Sequence, residues 1–214
     1  MKKLIWILAG TLFAAPAVAD TKSLYLRMLA GIEREIPVET GFPAERARLD
    51  RLLSALLPAY VAMYRGAATP RIRLVHDDGS LACSLDNGLV LVNPRLSALL
   101  PDAVISGVLA HELVHVAMEH GWIRTETAYD ALGGTAAARL TGAMTGRHPL
   151  KGSASWSALL YAQEFQADSE GRRLLVRSGL PASWLGQAIQ GVADARDSGS
   201  HPSGGQRLVA LAGR

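Results

Sequence analysis

His111-Glu112-Leu113-Val114-His115 places two imidazoles four residues apart with a carboxylate between them. On a helix, residues at that spacing lie on one face, about 40° apart around the axis, so both rings can reach a single divalent metal ion. Glu112 is turned by about 100° from His111, close to such an ion but off the ligand direction. That is the place for a general base acting on a metal-activated water. A catalytic zinc takes three protein ligands and keeps one position open. The third candidate is Glu164, in the run Glu164-Phe165-Gln166-Ala167-Asp168, 49 residues beyond His115. Asp168 lies one helical turn further on the same face. It can accept a hydrogen bond from a ligand imidazole and so fix its tautomer. The residues therefore point to one Zn2+ per chain on His111, His115 and Glu164, with Glu112 as the catalytic base.

Such a site needs rigid elements. Val104, Ile105, Val108, Leu109, Leu113, Val116 and Ala117 surround most of the segment that carries the histidines, which predicts a helix buried in the core. Asp102 is placed to serve as its N-cap or first-turn acid, and Gly121 as its end. Helical spacing predicts further helices over residues 21–36, 44–64 (with Pro58 as a potential kink) and 155–177, a shorter one after Pro181, and a last one over 206–212. Strand patterns occur at residues 72–75, 81–85 and 89–92. Asp77-Asp78-Gly79 reads as a turn, and Asp86-Asn87-Gly88 as the tip of a hairpin. Residues 131–146, rich in Ala and Gly, read as a close-packed helix or a loop, and 197–205 as a loop. The fold class is α+β and mainly helical, with a small, mostly antiparallel sheet beside the active-site helix. Residues 20–214 form a single domain in this reading.

The stretch 108–116, ending in His120-Gly121, resembles the HtpX-like and BepA-like zinc endopeptidases (gluzincin clan, peptidase family M48), whose fuller pattern is HELxHxxxxH. Residues 164–168 are similar to that family's E-x-x-A-D. His201-Pro202-Ser203, with Arg207 six positions after His201, is similar to its late H-P-S-x-x-x-R segment. The resemblance covers about residues 70–210. It implies a gluzincin-like domain that cleaves peptide bonds inside protein substrates, often in envelope quality control. It also implies that His120 packs or caps a helix end rather than binding metal. It makes His201 or Arg207 a candidate stabiliser of the oxyanion; the plainer reading of Arg207 is a carboxylate partner that anchors the final helix. Gly204-Gly205 stand where polar residues are usual, which predicts a flexible loop. The segment at Leu81-Ala82-Cys83 lacks the family's usual initial Asn.

Lys2-Lys3, an apolar run over residues 4–13 and Ala17-Val18-Ala19 read as a cleaved signal peptide of residues 1–19, implying export to a bacterial periplasm. Without those two lysines, 20 basic residues face 19 acidic ones, and no like-charge block implies a nucleic-acid partner. The expected partners are unfolded or misassembled proteins, with room for a regulatory partner and for a position near the membrane surface. Cys83 is the lone cysteine, so no internal disulfide forms; it reads as a small buried hydrophobe or as a thiolate near the metal. His76 and His148 match no motif and read as surface residues. Three other functions fit the same residues. One is a latent, partner-activated peptidase with His201 or Cys83 on the fourth metal position. Another is an adaptor or chaperone keeping a structural zinc. The third is an amidase acting on cell-wall peptides.

Overall fold

The computed structural model describes residues 20–76, 80–192 and 201–213. The signal-peptide segment, the turn expected at residues 77–79 and the start of the loop expected at 197–205 lie outside them. The chain opens with α1 (Thr21–Glu35) and α2 (Pro43–Met63), the latter running unbroken through Pro58. Three short strands follow: β1 (Arg71–Leu74), β2 (Ala82–Ser84) and β3 (Leu89–Val92). A single turn, α3 (Pro94–Ser97), leads into α4 (Asp102–Ala117), which carries the two candidate ligand histidines. Then come α5 (His120–Asp130), α6 (Ala136–Met144), α7 (Ala154–Arg177), α8 (Ser183–Val192) and α9 (Gly204–Ala212).

The sheet is mixed rather than mostly antiparallel. Its order is β1-β3-β2, with β2 antiparallel and β1 parallel to β3. The hairpin at Asn87-Gly88 fixes β2 against β3, with Leu85 donating to the Leu89 carbonyl at 2.8 Å. Two chain reversals separate β1 from β3, so when β3 pairs through its other edge the two run the same way. Central strand β3 is buried at all four positions, as a strand covered on both faces must be. Its Val90 and Val92 face a core shared with α2, α4, α7 and α8. Its Leu89 and Leu91 face a second cluster built on Tyr25, Leu29 and Ile32 of α1 with Trp122.

Helix α4 lies at the centre and packs most extensively on α7 and α8. It is wrapped in apolar contacts, as its sequence requires, and its N-cap is Pro101. Asp102 is a first-turn acid that accepts from Arg48 Nε at 2.6 Å. The helix ends at Ala117, and Gly121 does not stop it. The reversal falls on Glu119, whose φ of 51° is left-handed, and Gly121 lies inside α5. Gly121 is needed there because an added Cβ would stand 2.8 Å from Asp86 Oδ2. Asp86 caps the start of α5 by accepting from the backbone N–H groups of Gly121 and Trp122. Residues 131–146 resolve into a turn followed by α6. Gly204 and Gly205 form the first turn of α9 rather than a flexible loop, held by a capping box between Ser203 and Gln206.

Candidate metal centre

Four-residue spacing on α4 brings the rings of His111 and His115 to 4.7 Å between centroids, with their Nε2 atoms 3.1 Å apart. Glu164 reaches them from α7. Its Oε1 is 3.4 Å from His115 Nε2 and its Oε2 is 3.5 Å from His111 Nε2. Helix α7 can approach this closely because residue 171 is glycine, where an added Cβ would stand 3.3 Å from Ala110 C and His111 N. All three side chains are buried, Glu164 to 3% exposure. One donor atom from each lies within 4.8 Å of the others.

Asp168 accepts a hydrogen bond from His111 Nδ1 at 3.0 Å, and is itself gripped by Arg207 through Nε to Oδ2 at 2.8 Å and Nη2 to Oδ1 at 2.6 Å. Arg207 Nη1 lies 3.7 Å from Glu164 Oε2. This two-pronged contact ties α9 to α7, which is the carboxylate-anchor arrangement for Arg207. With Asp168 as acceptor, Nδ1 keeps its proton, and Nε2, facing Glu164 and His115, is the nitrogen a metal would take in place of its proton.

The electrostatics favour a cation. Burial alone pulls His111 down, but the nearby carboxylates of Asp168 and Glu164 outweigh it and hold the imidazole up at about 10. Burial raises the Glu164 carboxyl, yet its contacts with both histidines bring it well below the usual range. Asp168 is likewise lowered, because Arg207 and His111 outweigh its burial. His115 is lowered, chiefly by burial. Glu164 Oε2 is a buried acceptor with no hydrogen-bond partner among the described residues. Such an atom calls for a ligand. Two imidazole nitrogens and a buried carboxylate oxygen aimed at one point are a donor set that suits zinc. The residues present fit the metal.

Around this cluster, Glu112 is half-buried, and its Oε2 accepts from the hydroxyl of Ser84 on β2 at 2.7 Å. His201 is half-exposed, with Nε2 3.6 Å from Glu164 Oε1. His120 is 1% exposed and sits with Nδ1 2.8 Å from His115 Nδ1. It opens α5 rather than closing α4, and its ring turns toward the cluster. Burial, then the neighbouring His115, pushes it down to about 3. Cys83 packs half-buried against the cluster around α1, on the sheet face opposite Ser84, so its thiol is turned away from the histidines. His76 is exposed. His148 is not a surface residue: it is 9% exposed and packs against Trp156 at a tilt of 59°, with ring centroids 4.4 Å apart. The segment between α6 and α7 folds back over that indole.

Sequence reasoning missed Ser84 and Gln166. Gln166 Oε1 stands 3.2 Å from His120 Nε2. Both are single side chains meeting across elements, and no spacing rule flags them. Strand alternation offered a weak signal for Ser84, since it puts Ser84 on the face opposite Cys83.

No curated protein matches the chain. The pattern of peptidase family M48 matches residues 43–214, which takes in every element from α2 to α9. The two histidines of α4, the glutamate of α7 and the arginine of α9 all fall within that match, and the chain belongs to peptidase family M48, a family of zinc-dependent peptidases.

Proposed function

We propose that this chain is an exported zinc endopeptidase that cuts unfolded or misassembled proteins in the bacterial envelope. The observation that carries the reading is the convergence of His111, His115 and Glu164, with a buried carboxylate oxygen that makes no hydrogen bond among the described residues, beside the half-buried Glu112. Export is supported by the charged, apolar and small-residue segments of residues 1–19.

In the reaction, His111, His115 and Glu164 hold the metal, which when bound supplies the Lewis acidity that polarises a peptide carbonyl and makes water a readier proton donor. Glu112 takes the proton from the attacking water and passes it to the departing amine. Ser84 keeps the Glu112 carboxylate aimed while it does so. His201, half-exposed beside Glu164, is placed to donate toward the oxygen that gains charge as the carbonyl is attacked. Arg207 and Asp168 touch no reacting atom and hold His111 in place. Strand β2 has an unpaired edge among the described residues, beside α4. An extended peptide can pair with that edge, which selects unfolded chain over folded protein.

The test is zinc content together with casein cleavage, wild type beside Glu112→Gln. The substituted chain retains about one zinc and loses activity by at least about a thousand-fold. Wild-type rates in Glu112→Gln would remove Glu112 as the base. Cleavage of peptidoglycan fragments with no action on casein would make the enzyme a cell-wall amidase instead.

A further inference from the structure

The two ligand histidines are supported differently. His111 rests on the Asp168 carboxylate, the usual kind of partner for a ligand imidazole. His115 rests on another imidazole, with His120 Nδ1 at 2.8 Å from its Nδ1. His120 in turn meets Gln166 Oε1 through Nε2 at 3.2 Å. An amide oxygen only accepts, so the single proton of neutral His120 sits on Nε2. His120 Nδ1 then carries a lone pair and accepts the proton of His115 Nδ1. That leaves the Nε2 lone pair of His115 facing Glu164 and His111.

We propose that His120 and Gln166 form a neutral hydrogen-bond relay that positions His115 and fixes its tautomer for metal binding. This rests on the reading of His111, His115 and Glu164 as metal ligands. The fold builds the relay on purpose-shaped parts. The left-handed Glu119 turns the chain at the end of α4. Asp86 caps the first N–H groups of α5. Gln163, three residues before Gln166 on α7, donates to the His120 carbonyl at 3.3 Å. His120 is thereby fixed from three sides while Gln166, on the exposed side of α7, terminates the chain of donors.

The experiment is nitrogen NMR of 15N-histidine-labelled, zinc-loaded wild type, with zinc dissociation constants measured by chelator competition. The relay requires His120 protonated on Nε2 and bare on Nδ1; the opposite tautomer in a zinc-loaded chain overturns it alone. His120→Leu loosens zinc by about 10- to 100-fold. Unchanged affinity in that variant, with wild-type circular dichroism, also overturns it. Gln166→Glu, which keeps an acceptor, binds zinc at least as tightly as wild type, whereas Gln166→Lys, which offers only donors, binds it less tightly. That difference vanishes in the His120→Leu background if the relay carries it, and persists there if long-range charge does. Should His120→Leu not fold, the tautomer decides. A wild-type chain that binds no zinc removes the metal site itself, and the relay with it.

Discussion

Ser84 donates to Glu112 from a strand of only three residues, and that bond decides where the carboxylate points. Glu112 has several rotamers open to it on a helix surface, and only some aim its oxygens at a water beside His111 and His115. A hydrogen bond to a charged group contributes about 1.5 kcal/mol or more, roughly ten-fold in rate if it is lost only when the base acts. Ser84→Ala therefore lowers kcat by about ten-fold with KM and zinc content unchanged, and Ser84→Thr, which keeps the hydroxyl, restores most of it. Steady-state kinetics on a fluorogenic peptide checks this; a change confined to KM would make Ser84 a substrate contact instead. At this scale the sequence is legible where one helix sets the geometry. His111, Glu112 and His115 are readable because 3.6 residues per turn places them. Ser84 is not, because its partner depends on how β2 sits against α4, which no local pattern encodes.

The elements converge on α4, and α7 makes its close approach to the ligand-bearing turn at Gly171. Alanine there gains helix propensity of about 1 kcal/mol over glycine. Its Cβ, however, meets the backbone at Ala110 and His111 at 3.3 Å, and a buried helix core cannot yield as a flexible side chain would. The two effects offset each other in stability, while the displacement acts on the α4–α7 spacing that sets Glu164 against His111. Gly171→Ala is expected to melt within a few degrees of wild type yet lose kcat/KM by roughly three- to ten-fold, since about 1 Å of misplacement costs about a hundred-fold. Differential scanning calorimetry with kinetics separates these; equal activity would show that α4 and α7 adjust without moving the ligands. The long helices were legible from periodicity, and the Asn87-Gly88 hairpin from its turn chemistry. The parallel pairing of β1 was not, because strand order depends on which edge of β3 stays free. Nor was the burial of His148, which arises from a contact with Trp156 that no repeat in the segment announces.

For the whole molecule, the buried histidines make stability depend on pH in opposing directions. In the metal-free protein His111 is held up at about 10, above the ordinary 6.5. Its contribution is complete below pH 6.5 and is lost as pH rises toward 10, at up to about 1.4 kcal/mol per pH unit. His115 and His120 are lowered, His120 to about 3, so their contribution is complete above pH 6.5 and is lost as pH falls. Glu164 and Asp168 are also lowered, and what they contribute is lost only further down, below their ordinary 4.5 and 3.8. The site's contribution to the metal-free protein therefore peaks near pH 6.5 and declines on both sides. A bound metal takes the His111 lone pair in place of the proton, so the alkaline decline disappears and metal affinity rises with pH. Urea denaturation at pH 5, 6.5, 8 and 9, with chelator or with excess zinc, checks both curves. The zinc-loaded curve stays flat from pH 6.5 to 9 while the metal-free one falls. A metal-free protein that grows steadily more stable from pH 5 to 9 would mean that His111 is not held protonated by Asp168 and Glu164, and the charge balance assigned to the cluster would be wrong.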